Sequence, residues 1–129
     1  MKDWTLVGII IGYIIILGIG LLEQKYLDDL SYKMVNDVSD IEETVYLGDI
    51  KTGVVKLQNI ISKWEKDKKV LGIIINHEDI KKISESLIKI DSKLKKFSNS
   101  DNVSANFALL KEYIINIKKE NEFTISNVL

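Results

Sequence analysis

Seventeen consecutive residues, Leu6 to Leu22 (LVGIIIGYIIILGIGLL), carry no charge, and Tyr13 alone among them bears a polar side-chain group. Adding Trp4 and Thr5 gives a stretch of 19 residues, close to the ~20 that a helix needs to cross the hydrocarbon layer of a membrane. A core helix in a small soluble domain would keep one polar side for water; this run has none. Trp4 stands where an interfacial aromatic belongs. The sequence therefore divides into an anchor, residues 1–22, and a domain, residues 23–129.

Orientation follows from the flanking charges. Lys2 precedes the run, while Glu23, Asp28 and Asp29 outweigh Lys25 just after it. The positive-inside tendency then places the N-terminus in the cytoplasm and the domain outside it, as a single-pass protein of the cell membrane. A cleaved signal peptide is the competing reading, since Gly18-Ile19-Gly20 is a small-x-small triplet. The meagre basic segment and the length of the apolar run favour an anchor that is kept. Gly8 and Gly12 form a small-xxx-small pair through which two anchors could pack as a homodimer, although glycine is common in membrane helices for other reasons.

Downstream, the chain has no proline, and no glycine after Gly72, a composition that favours helices over strands and tight turns. Apolar residues recur at steps of three and four: Leu27, Leu30, Met34, Val38, Ile41 and Val45 in a first stripe. Nothing between Leu22 and Leu47 would stop a helix, so the anchor is expected to continue as a stalk of about 43 residues, roughly 65 Å long. Gly48 is the first good stop and Asp49 a good N-cap. A second stripe runs through Ile50, Val54, Leu57, Ile61, Trp64, Leu71 and Ile75, weakened by Gly53 and Gly72. Asn76 opens a third, with Ile80, Ile83, Leu87, Ile90, Leu94 and Phe97. A polar turn cluster, Ser98 to Asn102, leads to a fourth with Val103, Phe107, Leu110, Ile114 and Ile117, expected to reach about Glu122 and leave Phe123 to Leu129 as a loose tail. The predicted fold is all-α: a transmembrane helix continuing into a stalk, packed with about three further antiparallel helices as a small bundle. The pairs Asp49/Asp101, Gly53/Ala105, Leu57/Leu109 and Ile61/Tyr113 hint at an internal repeat.

Charge narrows the function. All 18 basic residues are lysine and the net charge is −1; without arginine's two-pronged donors, nucleic acid is not an expected partner. With no cysteine there is no disulfide, thiol nucleophile or thiolate metal site. Glu23 to Asp49 holds eight acids against two lysines, and the chain from Ile50 onward fifteen lysines against ten acids. Those blocks are either separate wet faces or complementary neighbours.

The residues that tempt a chemical reading are few. His77, the only histidine, stands in Asn76-His77-Glu78-Asp79. Zinc needs three or four converging ligands, and consecutive helical residues point about 100° apart. A histidine base needs a nucleophile that nothing nominates. The segment reads better as a helix start, with Asn76 capping and Glu78 and Asp79 at the positive end of the helix dipole. Trp64 belongs to an apolar stripe and reads first as packing, second as a ligand-stacking ring. The lysines from Lys81 to Lys96 read as a solvated face, or as a contact for anionic headgroups. No catalytic residue, cofactor site or metal site is expected, and no enzymatic activity.

Several segments resemble the family catalogued as domain of unknown function 4363. They are Trp64-Glu65, Asn76-His77-Glu78-Asp79-Ile80, the leucine spacing through Leu87 and Leu94, Lys118-Lys119-Glu120-Asn121, and Ile125-Ser126-Asn127-Val128-Leu129. The resemblance implies an uncharacterised bacterial single-pass membrane protein, sometimes encoded beside YetF-like multi-pass membrane proteins, and carries over no site. The family usually has Trp or Ala early in the second helix, where this chain has Thr52 and Gly53, so that hairpin is expected to pack differently. The expected function is that of a membrane-anchored interaction or accessory module whose partners are the lipid bilayer and another membrane or envelope protein. The alternative is an extracytoplasmic sensor enclosing a small ligand beside Trp64.

Overall fold

The computed structural model describes the backbone of residues 2–97 and 103–128, and the side chains of residues 3–96 and 103–120. Four helices follow one another: α1 (Lys2–Tyr46), α2 (Ile50–Ile74), α3 (His77–Phe97) and α4 (Ser104–Val128). Each packs on the next, and α4 closes the ring on α1, which is the up-down-up-down arrangement that short connections enforce.

The anchor and the stalk form one continuous helix of 45 residues, about 68 Å long at 1.5 Å per residue. Its apolar first part reaches a mean hydropathy of 2.6 over eighteen residues, with none of that stretch buried in the protein. The helix is therefore long and apolar enough to cross a membrane. It ends at Gly48, whose φ of 92° an L side chain rarely adopts. Gly48 N–H donates to the Val45 carbonyl (3.0 Å) and Asp49 N–H to the Thr44 carbonyl (3.2 Å), the paired bonds of a Schellman cap. Asp49 then caps α2 by accepting from Thr52 N–H at 3.2 Å; the Thr52 side chain first, and then this backbone bond, hold its carboxyl below the usual range. Asn76 caps α3 through Glu78 N–H at 3.0 Å.

The core follows the predicted stripes closely. Leu27, Met34, Val38, Ile41 and Val45 of α1 meet Leu57, Ile60, Trp64 and Leu71 of α2, Ile83, Leu87, Ile90 and Leu94 of α3, and Phe107, Leu110, Ile114 and Ile117 of α4. Val103, just before α4, joins them. Burial of such side chains, worth about 1.5–3 kcal/mol each, is what holds the bundle together. Among the described residues three ion pairs join α1 to its neighbours, and in each the acid is on α1: Asp40–Lys56 (2.9 Å), Glu42–Lys111 (2.7 Å) and Asp28–Lys118 (3.8 Å). The acidic block thus faces the basic one. Partly exposed pairs of this kind contribute about 0.2–1 kcal/mol each, so they select neighbours and register more than they stabilise.

Two expectations are corrected. The fourth helix does not end at Glu122; its backbone continues to Val128. The repeat exists in a different register: Ala105 and Leu109, paired in the sequence with Gly53 and Leu57, are exposed. The buried set Gly53, Leu57, Ile60, Trp64 recurs fifty positions later as Val103, Phe107, Leu110, Ile114, and Met34, Val38, Ile41, Val45 recur forty-nine later as Ile83, Leu87, Ile90, Leu94. The bundle is two similar helical hairpins, and burial reveals the period that residue identity hid. The expected turn from Ser98 to Asn102, with Asp101 of the proposed pairing, lies outside the described residues.

Candidate functional site

Trp64 is built into the core from α2 and is 2% exposed. Its indole N–H donates to Ser84 Oγ of α3 at 2.8 Å, satisfying the one polar atom that such burial would strand. One side of the residue borders a groove of about 260 Å³ between α1 and α2. Tyr26, Leu30, Met34, Ile60 and Trp64 supply its apolar wall, while Asp29, Lys33, Asp37, Lys63 and Asp67 ring it. Tyr26 has its phenol pushed above the ordinary value, first by burial and then by the nearby Asp67 carboxylate. The groove is a surface cleft, and the site can hold a small, partly apolar molecule.

The Asn76–Asp79 segment is placed at the turn from α2 into α3, which connects the two hairpins. His77 and Glu78 are exposed, and Asp79 is half-buried. The His77 ring lies beside Gly72, where an added Cβ would stand 3.9 Å from Cε1. Among the described residues, no three His, Cys, Asp or Glu side chains come together as a metal site would need. Asp79 instead meets Glu120 of α4. Contact with the Asp79 carboxyl, then desolvation, raises the Glu120 carboxyl to about 7, against a smaller opposing effect of Lys82. Asp79 Oδ2 is buried with no hydrogen-bond donor to it; a proton on Glu120 can supply one. This pair brings α3 and α4 together at the anchor side of the bundle. Lys82 also lies 5.8 Å from the centre of the Tyr113 ring, within cation–π range.

Gly8 and Gly12 stand one turn apart on α1, and a Cβ added at either would meet nothing within 4 Å. That face is open within a single chain. The outward face of α3 is also open, with Lys81 and Lys89 exposed beside Ile88, while Lys93 donates to Asn106 Oδ1 of α4 at 2.8 Å.

Three structural contacts escaped sequence reasoning. Ser31, the one buried polar residue described, donates to the Ile114 carbonyl at 3.3 Å; its place in the α1 stripe, a turn before Met34, was the available signal. Gly53 brings α2 against Val45 of α1, and a glycine on a buried face is a sign of close approach. The Asp79–Glu120 pair joins residues forty-one positions apart, a proximity no local pattern displays.

No curated protein and no solved structure matches the chain. The family model described as domain of unknown function (DUF4363) matches residues 21–128, which takes in the stalk, Trp64, the Asn76–Asp79 turn and Glu120. The protein belongs to the domain of unknown function 4363 family.

Proposed function

We propose that the chain is a membrane-anchored interaction or accessory module, with the first part of α1 crossing the cytoplasmic membrane and the bundle held at its outer face. The observation that carries this reading is the continuity of α1: its first part is uncharged and exposed on all sides, and its second part forms one wall of the bundle core. Lys2 before the uncharged run and the acids after it support the exported orientation. The bundle lacks a buried, converging set of reactive groups among the described residues, which favours binding over chemistry. At its membrane-distal end Tyr46 and Leu47 are 79% and 75% exposed, an apolar pair suited to a protein partner in the membrane or envelope. The partner would be met about 36 Å from the end of the span, the length of helix between Leu22 and Tyr46.

Two experiments test this. A reporter active only outside the cytoplasm, fused after Leu129, is expected to be active; a well-expressed but inactive fusion reverses the topology. A photo-crosslinking residue in place of Leu47 is expected to trap a defined membrane or envelope protein, while one at Ile88 does not. A second reading, a sensor for a small ligand, is favoured by the groove beside Trp64 and would be supported by a bound molecule that quenches Trp64 fluorescence.

A further inference from the structure

The most exposed large apolar side chain among the described residues is not in the anchor. It is Ile73, 87% exposed in the last turn of α2, ahead of Trp4 at 81%. Ile73 is not a displaced core residue: Leu71, two positions earlier, is fully buried, and the core-facing stripe passes through it. Val70, on the same outward side, is 48% exposed, and Ile74 and Ile75 are only partly covered. Water thus meets an apolar cap formed by Val70 and Ile73 at the end of α2, beside the exposed Asn76, His77 and Glu78 that open α3.

The height of that cap follows from the antiparallel register of α1 and α2. Tyr26 and Asp67 line the same groove. From Asp67 down to Ile73 is six residues, about 9 Å, and from Tyr26 down to Leu22 is four, about 6 Å. This places Ile73 opposite Gly20. The close approach of Val45 to Gly53 places it opposite Lys25 instead. The two counts bracket Leu22, the last residue of the uncharged run. On the other side of α1, Ser31 meets Ile114 and Asp28 meets Lys118, so the backbone of α4, continuing to Val128, also descends to this height. Lys69 on α2 and Lys81 on α3, both exposed, stand a turn or so above the cap, where a lysine stem can lie along apolar surface and its ammonium reach a phosphate.

We propose that the α2–α3 turn, with Ile73 foremost, dips into the headgroup layer of the same bilayer that α1 crosses, so that the bundle rests on lipid instead of standing clear of it. The inference rests on the reading of α1 as a membrane span. The occupant is the lipid surface, because the cap and the end of the span lie at one height and exposed apolar side chains at such a boundary bury themselves several ångströms into it.

The absence of cysteine allows single labels. Ile73→Cys, Ile14→Cys and Ile88→Cys are each made in the full chain and coupled to an environment-sensitive fluorophore. The proteins are reconstituted at high dilution in phosphatidylcholine vesicles carrying nitroxide lipids, spin-labelled near the headgroup or near the chain end. The Ile14 label reports the span and is expected to be quenched best by the deep nitroxide. The Ile88 label, about 16 Å up α3 from His77, is expected to stay aqueous and unquenched. The Ile73 label is expected to shift to the blue and to be quenched more by the shallow nitroxide than by the deep one. A quenched Ile14 label with an Ile73 label as aqueous as that at Ile88 overturns the proposal and leaves the span intact. A blue shift at Ile73 without lipid quenching overturns it as well, since a second copy of the chain would then cover the cap. An unquenched Ile14 label overturns the span reading, and the proposal falls with it.

Discussion

Gly53 and Gly72 occupy the same helix and have the same intrinsic cost there, yet alanine should act on them in opposite directions. Alanine is favoured over glycine in a helix interior by about 1 kcal/mol, a gain common to both sites that cancels in their difference. What remains is space. At Gly72 the nearest atoms to an added Cβ are His77 Cε1 and Ile80 Cδ1, both at 3.9 Å, an ordinary contact. At Gly53 the nearest is Val45 Cγ2 at 2.6 Å, roughly an ångström too close. Val45 is 1% exposed, β-branched and so stiff at χ1, and its carbonyl is tied to Gly48 N–H. It has little freedom to step aside, and overpacking of that kind costs about 1–3 kcal/mol. Gly72→Ala should therefore stabilise by up to about 1 kcal/mol, and Gly53→Ala should lie about 1–3 kcal/mol below it. For a domain of this size each 1 kcal/mol moves Tm by about 4–8 °C, so thermal unfolding of the full chain in detergent, followed by circular dichroism, resolves the difference. Val45→Ala should recover part of the loss when combined with Gly53→Ala, giving a favourable coupling in the double-mutant cycle. A Gly53→Ala protein as stable as Gly72→Ala would refute the close approach. In this chain alanine at position 53 would strike Val45, so α1 and α2 come nearer together here than alanine permits.

The other predictions concern Trp64, Glu120 and His77. Trp64→Ala should cost about 3–5 kcal/mol by the cavity it leaves, measured by the same melts, with a loss under 1 kcal/mol showing that the ring is not a packing residue; Trp64→Phe should lose mainly the bond to Ser84, about 1 kcal/mol. Glu120 titrates at about 7 in the folded protein against 4.5 for its ordinary value, so the folded state binds the extra proton. Its contribution to stability is complete below pH 4.5 and is lost as pH rises to about 7. Glu120→Gln should flatten the stability profile across that window, and an unchanged slope would refute the shared proton. His77→Gln should leave stability within about 0.5 kcal/mol, as for a surface substitution, and zinc titration of the purified chain should show no one-to-one binding; tight binding lost in the variant would reverse that reading.

Helix periodicity was legible because it is a property of neighbouring residues. Met34, Val38 and Ile41, or Ile83, Leu87 and Ile90, advertise their buried side at steps of three and four, and Gly48, Asp49 and Asn76 carry their cap chemistry in their own side chains or lack of one. Charge offered the pairing of the acidic block with lysines as one of two readings; which lysine meets which acid depends on register. What stayed hidden was long-range: the Ser31–Ile114 bond, the Asp79–Glu120 contact and the groove between Tyr26 and Trp64 arise only when the helices are laid side by side. The end of α4 was misjudged for a local reason. Residues 123–128 lose the apolar period, but nothing among them forbids a helix, and a helix once nucleated continues at little cost.

The unbroken course of α1 has a mechanical consequence. Between Leu22 and Tyr46 there is neither proline nor glycine, so no residue there serves as a swivel. A domain on a flexible tether tumbles freely and must surrender its rotational freedom to each partner it meets. If α1 spans the bilayer as proposed, the lever arm and the bilayer remove most of that freedom beforehand: tilt is then set by the embedded part of the rod, and rotation about the membrane normal is the main motion left. A neighbouring protein in the same bilayer would meet Tyr46 and Leu47 at a constant height, in a search confined to two dimensions. Any change in the tilt or roll of the embedded part would in turn swing the far end of the bundle through a distance magnified by the length of the rod.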